Sequence, residues 1–359
     1  MKVLALNSSP RKPGVSKTLL MVEALVEGMR EGGARVDLVH LRERNIKNCV
    51  GCFTCWTKTP GVCILQDDMT KDLLPRWLEA DLAVYATPLY HYTVNASMKA
   101  FIERTLPVLQ PFFEEKEERI HHPLRAEPPK TIFLSVAGFP EMGVFDQLSS
   151  WVRFIFGRRD GLMGEIYRPG AEVMTVPYFR EKSRDVLEAT RQAGREVVTA
   201  GAISPETMGR ITQELVEDKE AFKLMGNLMW KSCIEEGLTP KEFYEKGLVP
   251  RPDSIPAFLA VMAMGFNKEA AAGTKAVIQF GFSGEVEGSC HLRIENSGIH
   301  TAEGPAPNPD LTVESPFDVW MDVITGRADG RQAFLEGKYR VSGDAGLLMR
   351  MSEFFGRRE

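Results

Sequence analysis

Residues 2–19, KVLALNSSPRKPGVSKTL, run from a strand-like apolar stretch through a polar loop into the start of a helix. The helix extends from Ser16 to about Arg30, with Leu19, Leu20, Val22, Leu25, Val26 and Met29 at helical spacing. Gly32-Gly33 ends it, and RVDLVHL (35–41) reads as a second strand. The loop between first strand and first helix is where an open parallel sheet presents its ligand crevice. There Ser8, Ser9, Ser16 and Thr18 can donate hydroxyls, Arg11 can donate a charged fork, and the helix N-terminus adds free backbone N–H groups. That combination suits a dianionic phosphate, although a polar connection with a capping serine accounts for the same residues. Neither the GxxxxGK[ST] of a nucleotide triphosphatase nor the GxGxxG of a dinucleotide fold is present.

The alternation continues to about residue 200. Asp67-Asp68 can cap a helix through about Leu78 if Pro75 only kinks it, and DLAVYATPLY (81–90) has the continuous apolar character of a buried strand. A helix around 95–106, the strand TIFLSVAG (131–138), a helix around 145–157, a strand near 171–176 and a helix around 181–199 follow. Strand and helix in alternation require crossovers, and so a parallel sheet covered on both faces. The expected class is α/β, with five strands in a doubly wound sheet. His121-His122, beside the charged run at 114–119, reads as solvated loop.

Residues 201–253 change character. Ser204-Pro205-Glu206 and Thr239-Pro240-Lys241-Glu242 are helix starts with proline in the first turn, so this stretch reads as a helical linker. From 254 to 359 the runs AVIQFGFSG, SCHLRIE, IHTAEG and DLTVES alternate at period two and suggest an antiparallel sheet with helices, an α+β domain. At 359 residues, two domains are the natural division.

Composition excludes several classes. With 49 acidic against 44 basic side chains and a net charge of -5, the chain has no electrostatic footprint for nucleic acid. Its longest apolar run, AFLAVMAMGF (257–266), is about half of a membrane span. The N-terminus lacks a secretory signal pattern, so a cytoplasmic chain is expected. Cys233 and Cys290 stand apart and read as packing thiols.

Two more strand ends bear on the loop at 7–19. TPLYHYTVNASMKAFIER (87–104) places Thr87, Pro88, Leu89, Tyr90 and His91 at the carboxyl edge of the third strand, a platform for a flat ring. The fourth strand ends in Ser135, Val136, Ala137 and Gly138, small enough for a backbone to approach that ring. Phosphate donors, ring platform and small-residue wall together describe a flavin mononucleotide (FMN) site. On these motifs, residues 1–200 resemble the flavodoxin-like FMN reductases, and more closely the iron–sulfur flavoproteins of that superfamily. The resemblance implies a flavodoxin-like fold and an FMN phosphate held by Ser8, Arg11, Ser16, Lys17 and Thr18. It also implies an isoalloxazine flanked by Thr87–His91 and 135–138, NAD(P)H or a redox partner as electron source, and a homo-oligomer. Tyr90 and His91 could tune the flavin or only pack, and no residue is named as a catalytic acid or base.

Residues 49–63, CVGCFTCWTKTPGVC, carry Cys49, Cys52, Cys55 and Cys63 with the spacing C-x2-C-x2-C-x7-C. Each x2 step lets backbone amides turn inward, and Pro60-Gly61 can fold the chain back to deliver the fourth thiolate. In a reducing compartment such a group points to metal or redox chemistry rather than structural disulfides. The resemblance implies a 4Fe–4S cluster, which beside FMN would form a two-to-one electron gate. Redox-active thiols and a structural four-cysteine zinc site are the alternatives. Residues 254–359 resemble the sterol carrier protein family through FGFSGEVEG (280–288), ENSG (295–298) and GRADGRQAFLEGKYRVSGDAGLLMRMSEFF (326–355). That likeness implies a sterol-carrier-like domain with an apolar ligand. Met262, Met264, Met321, Met349 and Met351 could line its cavity or fill its core. The expected function is an FMN-dependent oxidoreductase carrying an apolar-ligand domain. The alternative is a lipid-binding protein whose flavodoxin-like half is a non-catalytic carrier.

Overall fold

The computed structural model describes residues 1–116, 119–157 and 160–355. They fall into two compact units, Met1–Glu217 and Asp218–Glu359. The division lies inside the stretch read as a linker.

In the first unit β1 (Lys2–Asn7), α1 (Lys17–Glu31), β2 (Arg35–His40), α2 (Leu74–Leu78), β3 (Leu82–Pro88) and α3 (Ala96–Glu103) are followed by a small hairpin, β4 (Glu114–Lys116) and β5 (Arg119–His121). Then come β6 (Lys130–Val136), α4 (Asp146–Phe156), β7 (Leu162–Arg168), α5 (Arg180–Ala200) and α6 (Pro205–Thr212). The five-stranded sheet has the order β2-β1-β3-β6-β7 with every pairing parallel, which is the flavodoxin-like doubly wound arrangement. β3 is buried along its whole length, so its apolar residues face covered layers on both sides. Asn7 pairs with Ala86 and Thr87 with Ser135, so β1, β3 and β6 end at one rim.

Three local expectations are corrected. The fifth strand is Leu162–Arg168, and 171–175, read as that strand, is a short 3₁₀ turn. Pro169 offers no N–H, Gly170 takes a left-handed φ of 61°, and Ala171 N–H donates to Ala137 O, which turns the apolar run inward across the rim. The helix expected from Asp67 to Leu78 opens with a π-helical turn, Met69–Leu73, before α2, which places Pro75 in a first turn where its missing donor costs little. His122 is not solvated loop: its ring sits 4.5 Å from that of Trp56 and 5.1 Å from that of Phe113.

α1 and α5 pack backbone to backbone where Gly28 meets Arg191 and Gly194 meets Leu25. At the end of α1, Glu31 accepts from Arg191 Nε at 3.0 Å and Arg195 Nη1 at 2.6 Å. Hydrogen bonds from those two arginines hold its carboxyl down at about 2. A carboxylate depressed in the folded state stabilises above its unfolded value and loses that contribution as pH falls toward the folded one. Glu31→Gln is therefore expected to lower the melting temperature slightly at neutral pH and low salt, the difference from the parent closing between about pH 4.5 and 2. Melting curves across that range check it.

The second unit holds α7 (Lys219–Glu236), α8 (Pro240–Glu245), α9 (Ile255–Gly265), β8 (Ala276–Ser283), β9 (Gly288–Glu295), β10 (Gly298–Glu303), β11 (Leu311–Pro316), α10 (Phe317–Ile324), α11 (Gly330–Leu335), β12 (Arg340–Gly343) and α12 (Ala345–Phe355). Its sheet, β10-β9-β8-β11-β12, is mixed rather than antiparallel, because β11 pairs parallel to β8. The crossover is pinned by the buried Gln279, whose Oε1 accepts from Ala306 N–H and whose Nε2 donates to Cys290 O. Phe258, Phe280, Phe282, Phe317 and Trp320 form the core with Met262, Met321 and Met351, whereas Met349 is exposed. Cys290 and Cys233 are buried. Among the described residues no helix is long and apolar enough to cross a membrane.

Candidate functional site

The rim is built first by the turn after β1. Ser8 N–H donates to Ala86 O at 2.9 Å and Asn95 Nδ2 donates to Ser8 O at 2.6 Å, tying the loop to β3 and to the start of α3. Ser16 caps α1, accepting from Leu19 N–H, and its hydroxyl donates to Ser9 Oγ at 2.8 Å. Ser8, Ser9, Ser16, Lys17 and Thr18 are all buried, while Arg11 is exposed. Arg11 donates to Glu172 at 2.5 Å, and Lys17 Nζ lies 3.9 Å from the same carboxylate. Burial, with help from Arg11, pushes the Lys17 ammonium below its usual range against the pull of Glu172. The loop thus concentrates two cations on one acidic side chain. An incoming phosphate would have to exchange with that side chain.

The second and third walls sit beside it. Thr87 and Ser135 are fully buried under the rim. The Thr87 hydroxyl donates to Pro88 O and accepts from Asn95 N–H, while Ser135 Oγ has no hydrogen-bond partner among the described residues. Pro88 is buried, Leu89 half-buried, and Leu89 N–H donates to Val136 O. Tyr90 and Thr93 exchange two backbone bonds of 3.0 Å around His91 and Tyr92, both left-handed with φ of 47° and 60°. Non-glycine residues in that region cost roughly 1–2 kcal/mol each, and such strain gathers at ligand contacts. Tyr90, His91 and Tyr92 are exposed at this turn. Ala137 is buried and Gly138 exposed, and a Cβ on Gly138 would stand 3.4 Å from Glu172. The edge therefore offers open backbone at Gly138 and an orphaned hydroxyl beneath it, a donor set that fits a flat polar ring with a phosphate tail.

Cys49, Cys52, Cys55 and Cys63 line one pocket together with Phe53 and Arg104. Gly51 and Phe53, on either side of Cys52, are left-handed, with φ of 64° and 51°, so the chain curls tightly between the thiols. Gly61 N–H donates to Cys55 O, the fold-back that Pro60-Gly61 foretold. Trp56 Nε1 anchors the loop on Leu106 O at 3.1 Å. Burial, and then the neighbouring Cys63, Cys49 and Cys52, push the Cys55 thiol up, whereas hydrogen bonds from Thr54 pull the Cys52 thiol down. Among the described residues no three His, Cys, Asp or Glu side chains are grouped closely enough to hold a metal ion. A cubane spreads its ligands over four iron atoms, so four thiols facing one pocket fit that donor set.

Behind the pocket lies an ion pair that the sequence reading missed. Arg104 and Asp67 are both buried and joined by Nη1–Oδ2 at 2.7 Å and Nη2–Oδ1 at 3.0 Å. Desolvation works against both charges. Their mutual hydrogen bonds outweigh it, holding the Asp67 carboxyl low and, with Cys63 nearby, the Arg104 guanidinium high. Sequence offered only a capping role for Asp67. Glu172 and Asn95 were likewise missed, although Asn95, one residue before a helical run, carries an N-cap signal.

The parallel sheet order defines a flavodoxin-like domain, followed by an α+β domain. Residues 1–119 match the family described as NADPH-dependent FMN reductase, and residues 263–356 match the SCP-2 sterol transfer family. The chain thus joins a segment similar to the FMN reductases to one similar to the sterol transfer family. An iron-sulfur flavoprotein of Archaeoglobus fulgidus is 39% identical over 108 residues, covering 30% of this chain and 46% of that protein. An iron-sulfur flavoprotein of Methanocaldococcus jannaschii is 33% identical over 108 residues, covering 30% of this chain and 53% of the relative. The chain therefore spans about half the length of these curated relatives. A hydroxysteroid dehydrogenase-like protein 2 of Xenopus tropicalis is 29% identical over 132 residues, 35% of this chain and 31% of that one.

Proposed function

We propose that the first unit binds FMN at the rim of β1, β3 and β6 and works as a flavin-dependent oxidoreductase. Reduced nicotinamide or a redox partner is the electron source, and Cys49, Cys52, Cys55 and Cys63 would hold a 4Fe–4S cluster. The observation that carries this reading is the convergence of three strand ends on one edge that combines a capped, hydroxyl-rich loop with open backbone at Gly138. The match of residues 1–119 to the FMN reductase family supports it. Ser8, Ser9, Arg11, Ser16, Lys17 and Thr18 hold the phosphate, Arg11 and Lys17 turning from Glu172 toward it. Thr87 to His91 and Ser135, Ala137 and Gly138 flank the ring. When bound, FMN supplies hydride acceptance and release of single electrons, and the cluster supplies one-electron steps. The chain's own part is to orient the ring against the strained turn at His91-Tyr92 and to gather the four cysteines on one pocket, with Cys55 buried and Cys52 exposed.

The match of residues 263–356 to the sterol transfer family favours a second role, retention of an apolar molecule by the second unit. If that role is the whole function, the flavin is inert cargo. Mixing the flavin-loaded chain with NADPH or NADH without oxygen distinguishes the two. Bleaching of the flavin absorbance within seconds is expected, and an unbleached flavin on a chain that co-purifies with lipid would overturn the oxidoreductase.

A further inference from the structure

Arg104 and Glu103 are the charged residues that line the cysteine pocket among the described residues, and of the two Arg104 is buried in the first unit. A guanidinium has five N–H donors. Four are committed: Nη1 to Lys47 O at 2.7 Å and Asp67 Oδ2 at 2.7 Å, Nη2 to Asp67 Oδ1 at 3.0 Å and Thr70 Oγ1 at 2.9 Å. The fifth, Nε–H, is buried without a partner among the described residues. A buried donor left unmet is costly, and this one belongs to a side chain lining a pocket whose other polar groups are chiefly cysteine sulfurs. Neutral thiol is a weak acceptor, whereas thiolate or inorganic sulfide is a strong one.

We infer that Arg104 sets the reduction potential of the group held by Cys49, Cys52, Cys55 and Cys63, its Nε–H donating to sulfur and its charge, clamped by Asp67, opposing the extra electron of the reduced state. The inference rests on the cluster reading above. Reduction adds one negative charge to the cluster, and hydrogen bonds to sulfur and nearby fixed charge are what tune such centres. Arg104 and Asp67 together sum to zero. Losing the arginine leaves a net negative neighbour, and losing the aspartate leaves a net positive one.

The test is anaerobic reconstitution with iron and sulfide, followed by redox titration of the cluster read by its visible and electron paramagnetic resonance signals. Arg104→Gln is expected to make reduction at least tenfold less favourable, a downward shift of 59 mV or more for one electron. Asp67→Asn is expected to shift the potential upward. Opposite signs separate charge tuning from loosened packing, which would move both variants alike. Should Arg104→Gln fail to fold, Arg104→Lys keeps the charge and loses the Nε donor, and a downward shift is again expected. An unchanged potential in the variants that load, or shifts of one sign, overturns the inference. Parent protein that takes up no iron or sulfide overturns the cluster reading, and this inference with it.

Discussion

Gly28→Ala is expected to unfold the first unit or to cost it more than about 4 kcal/mol, the range reached only by severe core disruption. A Cβ at Gly28 would lie 1.7 Å from Arg191 O, a backbone atom that cannot swing aside as a side chain would. Gly194→Ala meets the same obstacle from the other helix, 2.1 Å from Leu25 O. To admit either methyl, α1 and α5 must part, and α1 carries the Ser16 cap on which the rim's first wall is built. Loss of stability should therefore bring loss of flavin affinity. Gly226→Ala in α7 is the control: nothing lies within 4 Å of its Cβ, so the substitution should stabilise by up to about 1 kcal/mol. Thermal melts of the three variants check the contrast, and equal melting temperatures would contradict the helix crossing described above.

Arg168→Met is expected to destabilise the first unit by about 3 kcal/mol and to release the segment after α5. The guanidinium is buried and donates to Pro169 O at 2.6 Å, Ile211 O at 2.6 Å and Gln213 O at 2.8 Å, closing the carboxyl end of α6. Burial drags it down to about 10, so it remains charged at neutral pH. Methionine fills the volume and relieves a desolvated charge, yet it takes the guanidinium donors from two buried carbonyls and one part-buried one. Because Arg168 O also accepts from Ala137 N–H, the wall at 137–138 should loosen. Hydrogen exchange at 205–217 is expected to rise well before global unfolding, and unchanged protection there would show that α6 is held by other contacts.

What was legible in the sequence follows from what each signal encodes. Continuous apolar runs and helical spacing located β1, β3, β6, α1, α3, α4 and α5 to within a few residues, since burial on a sheet or a helix face imposes those periods. The alternation of strand and helix gave the parallel doubly wound class, whose carboxyl edge is the shared rim, but it did not give the strand order. Periodicity cannot say which apolar run takes the last place in a sheet: the expected strand near 171–176 is a 3₁₀ turn, and Leu162–Arg168, which the sequence reading did not single out, holds that place before the turn at Pro169-Gly170. Nor does alternation reveal strand direction, and β11 turned out parallel to β8, with Gln279 tied to the connection that leads to it at Ala306. The candidate site was legible where its residues are sequential, in the loop at 7–19 and the cysteine segment. Side chains that act across the fold were not, as with Arg104 on Asp67, 37 residues away, and Glu172 on Arg11, 161 residues away.

The claim on which the rest depends is that the ends of β1, β3 and β6 bind FMN. Its most direct measurement is equilibrium titration of the anaerobically purified, deflavinated chain with FMN, followed by the quenching of flavin fluorescence. One equivalent bound per chain at micromolar affinity or tighter is expected, weakened at least tenfold by Arg11→Ala and Ser16→Ala together. A chain that leaves micromolar FMN unbound, or binds it equally well with both residues replaced, would contradict the site.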